Sequence, residues 1–356
     1  MVLRIWSRVW LLVSAIMLAA SPSPAQSPAP ARIVAVGDLH GDYEAWIAIA
    51  RDAGLVDARN RWAGGTTTLV QTGDITDRGP DSLKIIRHLR KLDKEASAAG
   101  GRVIVLLGNH EAMNVTGDLR YVDPGEYAAF RDRNSEALRA AAWDANGKLF
   151  VANYKARYPA MTDKDIRAEW FKATPLGLIE HQRAWAPAGE LGRWAASLPA
   201  VVKLGGTLFV HGGLSAPYTA MGGLEEINRR VRAAVAAGDK SPHSILADPL
   251  GPLWYRGLIT RGAAFEQEVA AAAAAAGKPN AARPPMAQEL DMVLAAFGAK
   301  RLVVGHTPNL AGIAMAHGGK LVRIDTGNAL SYKGQPSWLE IAGDQLTPHA
   351  VARNPR

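Results

Sequence analysis

The chain has 356 residues, 48% of them apolar and 21% charged, with a formal charge of +8 and no cysteine. That length and apolar share allow one large domain or two ordinary ones with a core that needs no covalent staples, and they exclude a disordered chain. Zero cysteine excludes disulfides, zinc fingers and thiol catalysis, so any metal must sit on His, Asp, Glu or Asn.

At the N-terminus, Arg4 and Arg8 precede an apolar stretch over 9–20 that is too short to span a bilayer, and small residues follow at Ser23 and Ala25. The pattern predicts a secretory signal peptide over 1–25, with an uncleaved anchor as the alternative, and a mature catalytic domain over 26–356. The mature protein is then expected in the periplasm or secreted, with no stable membrane insertion after cleavage. Short β-rich runs alternate next with helical patterns: 32–36, then a helix from Tyr43; 68–71, then a helix over about 81–99; 103–107, then another helix. This reads as an α/β fold with parallel strands and crossover helices. Each strand runs into a polar cluster, GDLHGD at 37–42, GDITDRG at 73–79 and GNHE at 108–111. The stretch over about 117–198 carries helical patterns and several Trp, and is expected to be a mainly helical insertion. Strands resume at 201–204, at 208–210 before HGG (211–213), at 301–304 before GHT (305–307) and at 321–324 before DTG (325–327), and 263–276 is a strong helix former.

In open α/β sheets, sites form at the carboxyl edge of the strands. Asp38, His40, Asp74, Asp77, Asn109, His110, His211 and His306 all fall there, flanked by glycines. Oxygen and imidazole donors delivered from separate strands suit a pair of borderline divalent metals, and a carboxylate such as Asp74 can bridge two ions. Two metals serve phosphoryl transfer, and Arg78 offers a bidentate fork to phosphate.

GDLHG, GDITDRG, GNHE, HGG and GHT, in that order, resemble the phosphoprotein phosphatases within the calcineurin-like metallophosphoesterases, and the resemblance covers most of the mature chain. GNHEAMN followed by GDLRYV, then PLWYRG and IDTG, resemble the Shewanella-like protein phosphatases. The resemblance implies a β-sandwich flanked by helices and attack of a metal-bridging hydroxide on phosphoproteins carrying phosphotyrosine, phosphoserine or phosphothreonine. It implies Asp38 and His40 on the first metal, Asp74 as the bridge, and Asn109, His211 and His306 on the second. It makes His110 the general acid, paired with Asp77, and Arg78 and Asn109 phosphate-binding groups. Arg256 is a second phosphate-binding candidate, or else pairs with a carboxylate. The nitrogen and oxygen donor set would accept Mn, Fe or Zn, with manganese among the expected ions. The resemblance also implies that Glu111 orients the surroundings without being a ligand.

Asn114, Asp118, Arg120 and Tyr121 recur in that branch without a role that the residues themselves supply. His88, His181, His243, His317 and His349 read as surface or internally satisfied histidines, and Trp143, Trp170, Trp185 and Trp194 as the insertion's own core. The insertion, with Trp170 and Tyr154 taken as surface residues, is expected to wall the cleft and set substrate choice. Arg229, Arg230 and Arg232 form the densest basic cluster without interleaved aromatics, which argues for a solvated helix face over a nucleic-acid partner. Hydrolysis of nucleotides or other small phosphoesters is the alternative activity, and a non-catalytic binding protein is the alternative class.

Overall fold

The computed structural model describes residues 32–353 except 276 and 278. The leader over 1–25 lies outside the described residues. Strands β1 (Ile33–Val36), β2 (Thr68–Gln71) and β3 (Arg102–Val105) are linked by helices α1 (Tyr43–Asp52) and α2 (Ser82–Ala98). They pair in parallel with Ile33 opposite Thr68 and Thr68 opposite Arg102, so their carboxyl ends leave the sheet at one edge. A second group, β4 (Val201–Leu204), β5 (Thr207–Val210), β6 (Arg301–Val304), β7 (Ala314–Ala316) and β8 (Leu321–Arg323), forms another five-stranded sheet in the order β4-β5-β6-β8-β7.

Alternation within these short strands assigns the layers. Ile33, Ala35 and Val70 face Phe209, Val303 and Val322 of the second sheet, making the interior of a sandwich. Val34, Val36 and Leu69 point the other way, beneath Trp46 of α1 and Ile85, Ile86 and Leu89 of α2. Leu208, Val210, Leu302 and Val304 pack outward onto α11 (Ala263–Ala275) and α12 (Met286–Ala296). Burial on both faces is why the strands read as continuous apolar runs.

The parallel reading holds for β1 to β3 but stops short of the whole sheet. β9 (Ser337–Ala342) pairs antiparallel with β1, and β10 (Gln345–Ala350) pairs antiparallel with β9, giving the order β10-β9-β1-β2-β3. Gly343, with φ of 59°, sits in the two-residue turn of that hairpin, a signal the chain-order reading passed over.

Between β3 and β4 lie α3 (Asn109–Thr116), α4 (Pro124–Phe130), α5 (Ser135–Arg157), α6 (Asp163–Ala173), α7 (Leu178–Trp185) and α8 (Glu190–Ser197). They divide into two parts. Trp143 and Phe150 of α5 meet Trp170 and Phe171 of α6 in a local aromatic cluster, with ring centroids 5.4 Å apart for Trp143–Trp170 and Phe150–Trp170. Trp185 and Trp194 instead join the main core with Leu191 and Ala195. This corrects the reading of all four Trp as a separate core: α7 and α8 pack on each other and on α3 and so join the main core, whereas α5 and α6 pair with each other. Trp170 is buried and does not belong to the surface. Helix α10 (Leu224–Ala237) carries the basic cluster, where Arg229 and Arg230 pair with Glu226 and Arg232 with Glu225. Among the described residues, no helix is long and apolar enough to cross a membrane.

Candidate active site

The parallel registers bring the polar clusters together. Val210 lies opposite Val304, so His211 and His306 emerge side by side, while the loops after β1, β2 and β3 emerge from the facing sheet. Within the first edge, Leu39 and His40 N–H donate to the Asp74 carbonyl at 2.9 and 3.0 Å, and the two edges are sewn directly by His306 N–H, which donates to the Asp38 carboxylate at 3.1 Å. His40, Asp74, Asp77, Arg78 and His306 all have positive φ, between 42° and 70°. Such left-handed backbone costs about 1–3 kcal/mol per non-glycine residue and clusters at functional sites, where surrounding contacts hold it. Gly108 has no room for a β-carbon, which would collide with the Asp74 carboxylate and backbone.

Hydrogen bonds decide the tautomers. His40 Nδ1 donates to the Thr76 carbonyl at 2.9 Å and His211 Nδ1 to the Thr72 carbonyl at 2.8 Å, since a carbonyl can only accept. Each ring therefore turns Nε2 inward. His40 Nε2 lies 3.9 Å from Asp38 Oδ2 and 3.8 Å from Asp74 Oδ2, and His211 Nε2 lies 3.2 Å from Asp74 Oδ1 and 2.9 Å from Asn109 Oδ1. Donor atoms converging in this way make a setting that a metal cation fits. Buried His306 Nε2 has no hydrogen-bond partner. His40, Asp74 and His110 form one group that could hold an ion, and Asp74, His211 and His306 form another, with Asp74 common to both. This nitrogen and oxygen donor set fits a pair of borderline divalent ions.

Residues 31–310 match the family described as calcineurin-like phosphoesterase. The chain is 34% identical to Shewanella-like protein phosphatase 2 of Arabidopsis thaliana over 88% of its own length and 76% of the relative's. The chain belongs to the Shewanella-like protein phosphatases, within the calcineurin-like phosphoesterases. It is also 28% identical to Shewanella-like protein phosphatase 1 of Plasmodium berghei, over 78% of this chain and 61% of that one. The crystal structure of a cold-active protein-tyrosine phosphatase of a psychrophile Shewanella sp. superposes with a TM-score of 0.62 at 25% identity, covering 92% of this chain and 81% of that one. The chain is thus a metal-dependent phosphatase, and the α/β sandwich expected from the resemblance is the one observed.

In this Shewanella-like phosphatase the histidines divide by charge. Burial, with the neighbouring His110, pulls His40 down to about 3, and burial with His211 and Arg256 holds His306 well below its ordinary value. Both rings are neutral at neutral pH and present lone pairs. His110 goes the other way: burial opposes its charge, but Asp74 and the hydrogen bond to Asp77 outweigh it and raise the imidazole. His110 Nδ1 is 2.5 Å from Asp77 Oδ2, and Nε2 faces the site 3.8 Å from Asp74 Oδ2. Asn114 Nδ2 donates to the other Asp77 oxygen at 2.8 Å, which gives that residue a role the sequence did not supply.

Burial and the charges of Asp325 and Asp74 push the Asp38 carboxyl well above the usual range, and burial lifts Asp325 to about 6. Asp74 is held well below it by His211 and His110 despite its burial. Crowding of this kind is what bound cations relieve. Asp325 and Asn328, whose side-chain amide donates to the Asp38 carbonyl at 2.9 Å, come from the loop after β8. Only IDTG hinted at them. Glu111 ties two loops together, accepting from the N–H groups of Asp74, Ile75, Thr76 and Gly108.

The Arg78 guanidinium lies 4.5 Å from the Tyr121 ring centroid and 5.1 Å from that of Tyr332. In the sequence, only its place in the loop after IDTG marks Tyr332. Arg256 is mostly buried within electrostatic reach of Asp38, Asp74 and Glu268. A groove of about 460 Å³ beside the site is lined by Met113, Arg120, Tyr121, Lys240, Trp254 and Glu268. A hollow of about 280 Å³ on the other side includes His40, Arg78, Pro80 and Leu330. Of the expected insertion, 118–123 thus help to wall these two hollows, together with 239–254 and other segments, whereas the hollow that α5 and α6 line at Phe150, Tyr154 and Tyr158 shares no residue with either.

Of the remaining histidines, His88 is satisfied between Trp46 Nε1 and the Asn60 carbonyl, and His243 and His317 are exposed. His181 departs from the expectation: it is fully buried and neither ring nitrogen has a hydrogen-bond partner.

Proposed function

We propose that this phosphatase hydrolyses phosphate monoesters on proteins, with phosphotyrosine accepted alongside phosphoserine and phosphothreonine. The relatives named protein phosphatase support the protein substrate, and the Shewanella protein-tyrosine phosphatase supports the aryl ester. Asp38, His40 and Asp74 would hold one divalent ion, and Asp74, Asn109, His211 and His306 a second, of manganese, iron or zinc. Bound there, the ions supply Lewis acidity toward phosphate oxygens and acidify water at neutral pH. Arg78, flanked by two tyrosine rings, offers its fork to the phosphate, with Asn109 and Arg256 as further contacts. His110 gives the Nε2 proton to the leaving oxygen, and Asp77 keeps the ring oriented and cationic until it does. The signal-like N-terminus supports export to the periplasm.

The carrying observation is how the histidines divide around Asp74: His40 and His211 turn Nδ1 onto backbone carbonyls and Nε2 inward, while His110 Nδ1 meets the Asp77 carboxylate, which together with Asp74 raises that imidazole. His110→Asn tests it. Turnover of a phosphoserine peptide should fall by about 10² to 10⁴, while nitrophenyl phosphate, whose leaving oxygen is already acidic, loses far less. Equal losses on both substrates would remove His110 from the acid role.

A further inference from the structure

The metal ligands and Arg78 all lie outside 117–198, yet the loop carrying Asp77 and Arg78 is anchored from inside it. Asp77 and Arg78 are consecutive left-handed residues, with φ of 70° and 67°. Asp77 N–H donates to Glu126 Oε1 at 2.9 Å and Arg78 N–H to the Tyr121 carbonyl at 2.9 Å. Glu126 is on α4, 2% exposed, and also accepts from the Ser82 hydroxyl at the start of α2. His181 Nε2 of α7 stands 3.7 Å from the second Glu126 oxygen, and the rings of Tyr127 and Phe130 lie against His181, with centroids at 5.3 and 5.0 Å.

We propose that Glu126 is a positioning residue for the acid pair: its buried carboxyl fixes the Asp77 backbone, so that the Asp77 side chain meets His110 Nδ1. Glu126 touches neither substrate nor metal donors and acts through Asp77. Burial, with the nearby Asp77 charge, lifts the Glu126 carboxyl to about 8, so near neutral pH it is mostly a neutral acid with Oε1 accepting. A glutamine reproduces that charge and that acceptor. A misplaced catalytic group loses rate steeply even when every residue that does chemistry is present.

The proposal rests on the reading of His110 as acid, and its test separates the two. Metal-loaded full-length protein is compared with Glu126→Ala, Glu126→Gln and Ser82→Ala, and His110→Asn assigns the downfield proton resonance of the His110–Asp77 hydrogen bond. Glu126→Ala should lose or shift that resonance, keep its metal, and turn over a phosphoserine peptide about 10- to 10²-fold more slowly, with nitrophenyl phosphate within about threefold. Glu126→Gln should restore both readouts, and Ser82→Ala should move them the same way by less. An unchanged resonance in Glu126→Ala, or a glutamine as damaging as alanine, overturns the proposal. If Glu126→Ala does not fold, an unchanged resonance in Ser82→Ala does so. A lost resonance with equal losses on both substrates, repeated in His110→Asn, keeps the positioning role and overturns the acid reading.

Discussion

Glu111→Gln keeps the volume of a buried side chain and removes one acceptor oxygen, so its cost isolates hydrogen bonding from cavity formation. Oε2 accepts from Asp74 N–H and Gly108 N–H at 2.9 Å each; Oε1 accepts from Ile75 N–H at 2.8 Å and from the Thr76 N–H and hydroxyl at 3.2 Å. Burial and the nearby Asp74 raise this carboxyl, but with donors on both oxygens the ionised form is the one the geometry accommodates. Whichever oxygen becomes an amide nitrogen, at least two buried N–H groups lose their acceptor and face another N–H. At about 1–3 kcal/mol for each buried donor left unpaired, the substitution should cost about 2–6 kcal/mol. That is a large part of the ~5–15 kcal/mol by which a folded domain exceeds its unfolded state. Denaturant unfolding of metal-free wild type and variant at one pH measures the difference as a shift in midpoint at constant slope. A loss below about 1 kcal/mol would refute the assignment of Glu111 as the clamp between the loops after β2 and β3.

Asp74→Asn should drop bound metal below two ions per chain and cut turnover by more than about 10², because an amide cannot bridge two cations; two ions retained with near-normal turnover would exclude the bridge. For Glu126, raised by burial from its usual 4.5 to about 8, the folded state binds more protons than the unfolded state between those values, so its contribution is fully present below about 4.5 and is lost as pH rises toward 8. Glu126→Gln should therefore gain stability over wild type by a few kcal/mol between pH 5 and 8 in denaturant titrations, and parallel pH profiles would contradict this. An alkaline phosphatase fusion at about residue 40 should be active outside the cytoplasm, with mature protein beginning near Gln26; an intact Met1 on the mature protein would reverse the export proposal.

The motif clusters were legible because they are local and because strand geometry does the rest. Parallel strands end on one edge, so GDLHGD, GDITDRG and GNHE had to converge, and the same holds for HGG and GHT in the second sheet. Donor type at those positions was enough to expect two metals and a phosphate grip. What the chain could not state was which imidazole keeps its proton. His40 and His110 occupy similar places at strand ends, and the difference lies in what the outer nitrogen meets: the Thr76 carbonyl for one and the Asp77 carboxylate for the other. Nor does any periodicity announce that Glu126, 49 positions from Asp77, ends beneath its backbone, or that Tyr332 reaches Arg78 from the far end of the chain. Helical and strand periods report which face of one element is apolar. The partner that a buried polar group finds is settled only when whole elements pack, because satisfying each buried donor is a condition on the assembled fold.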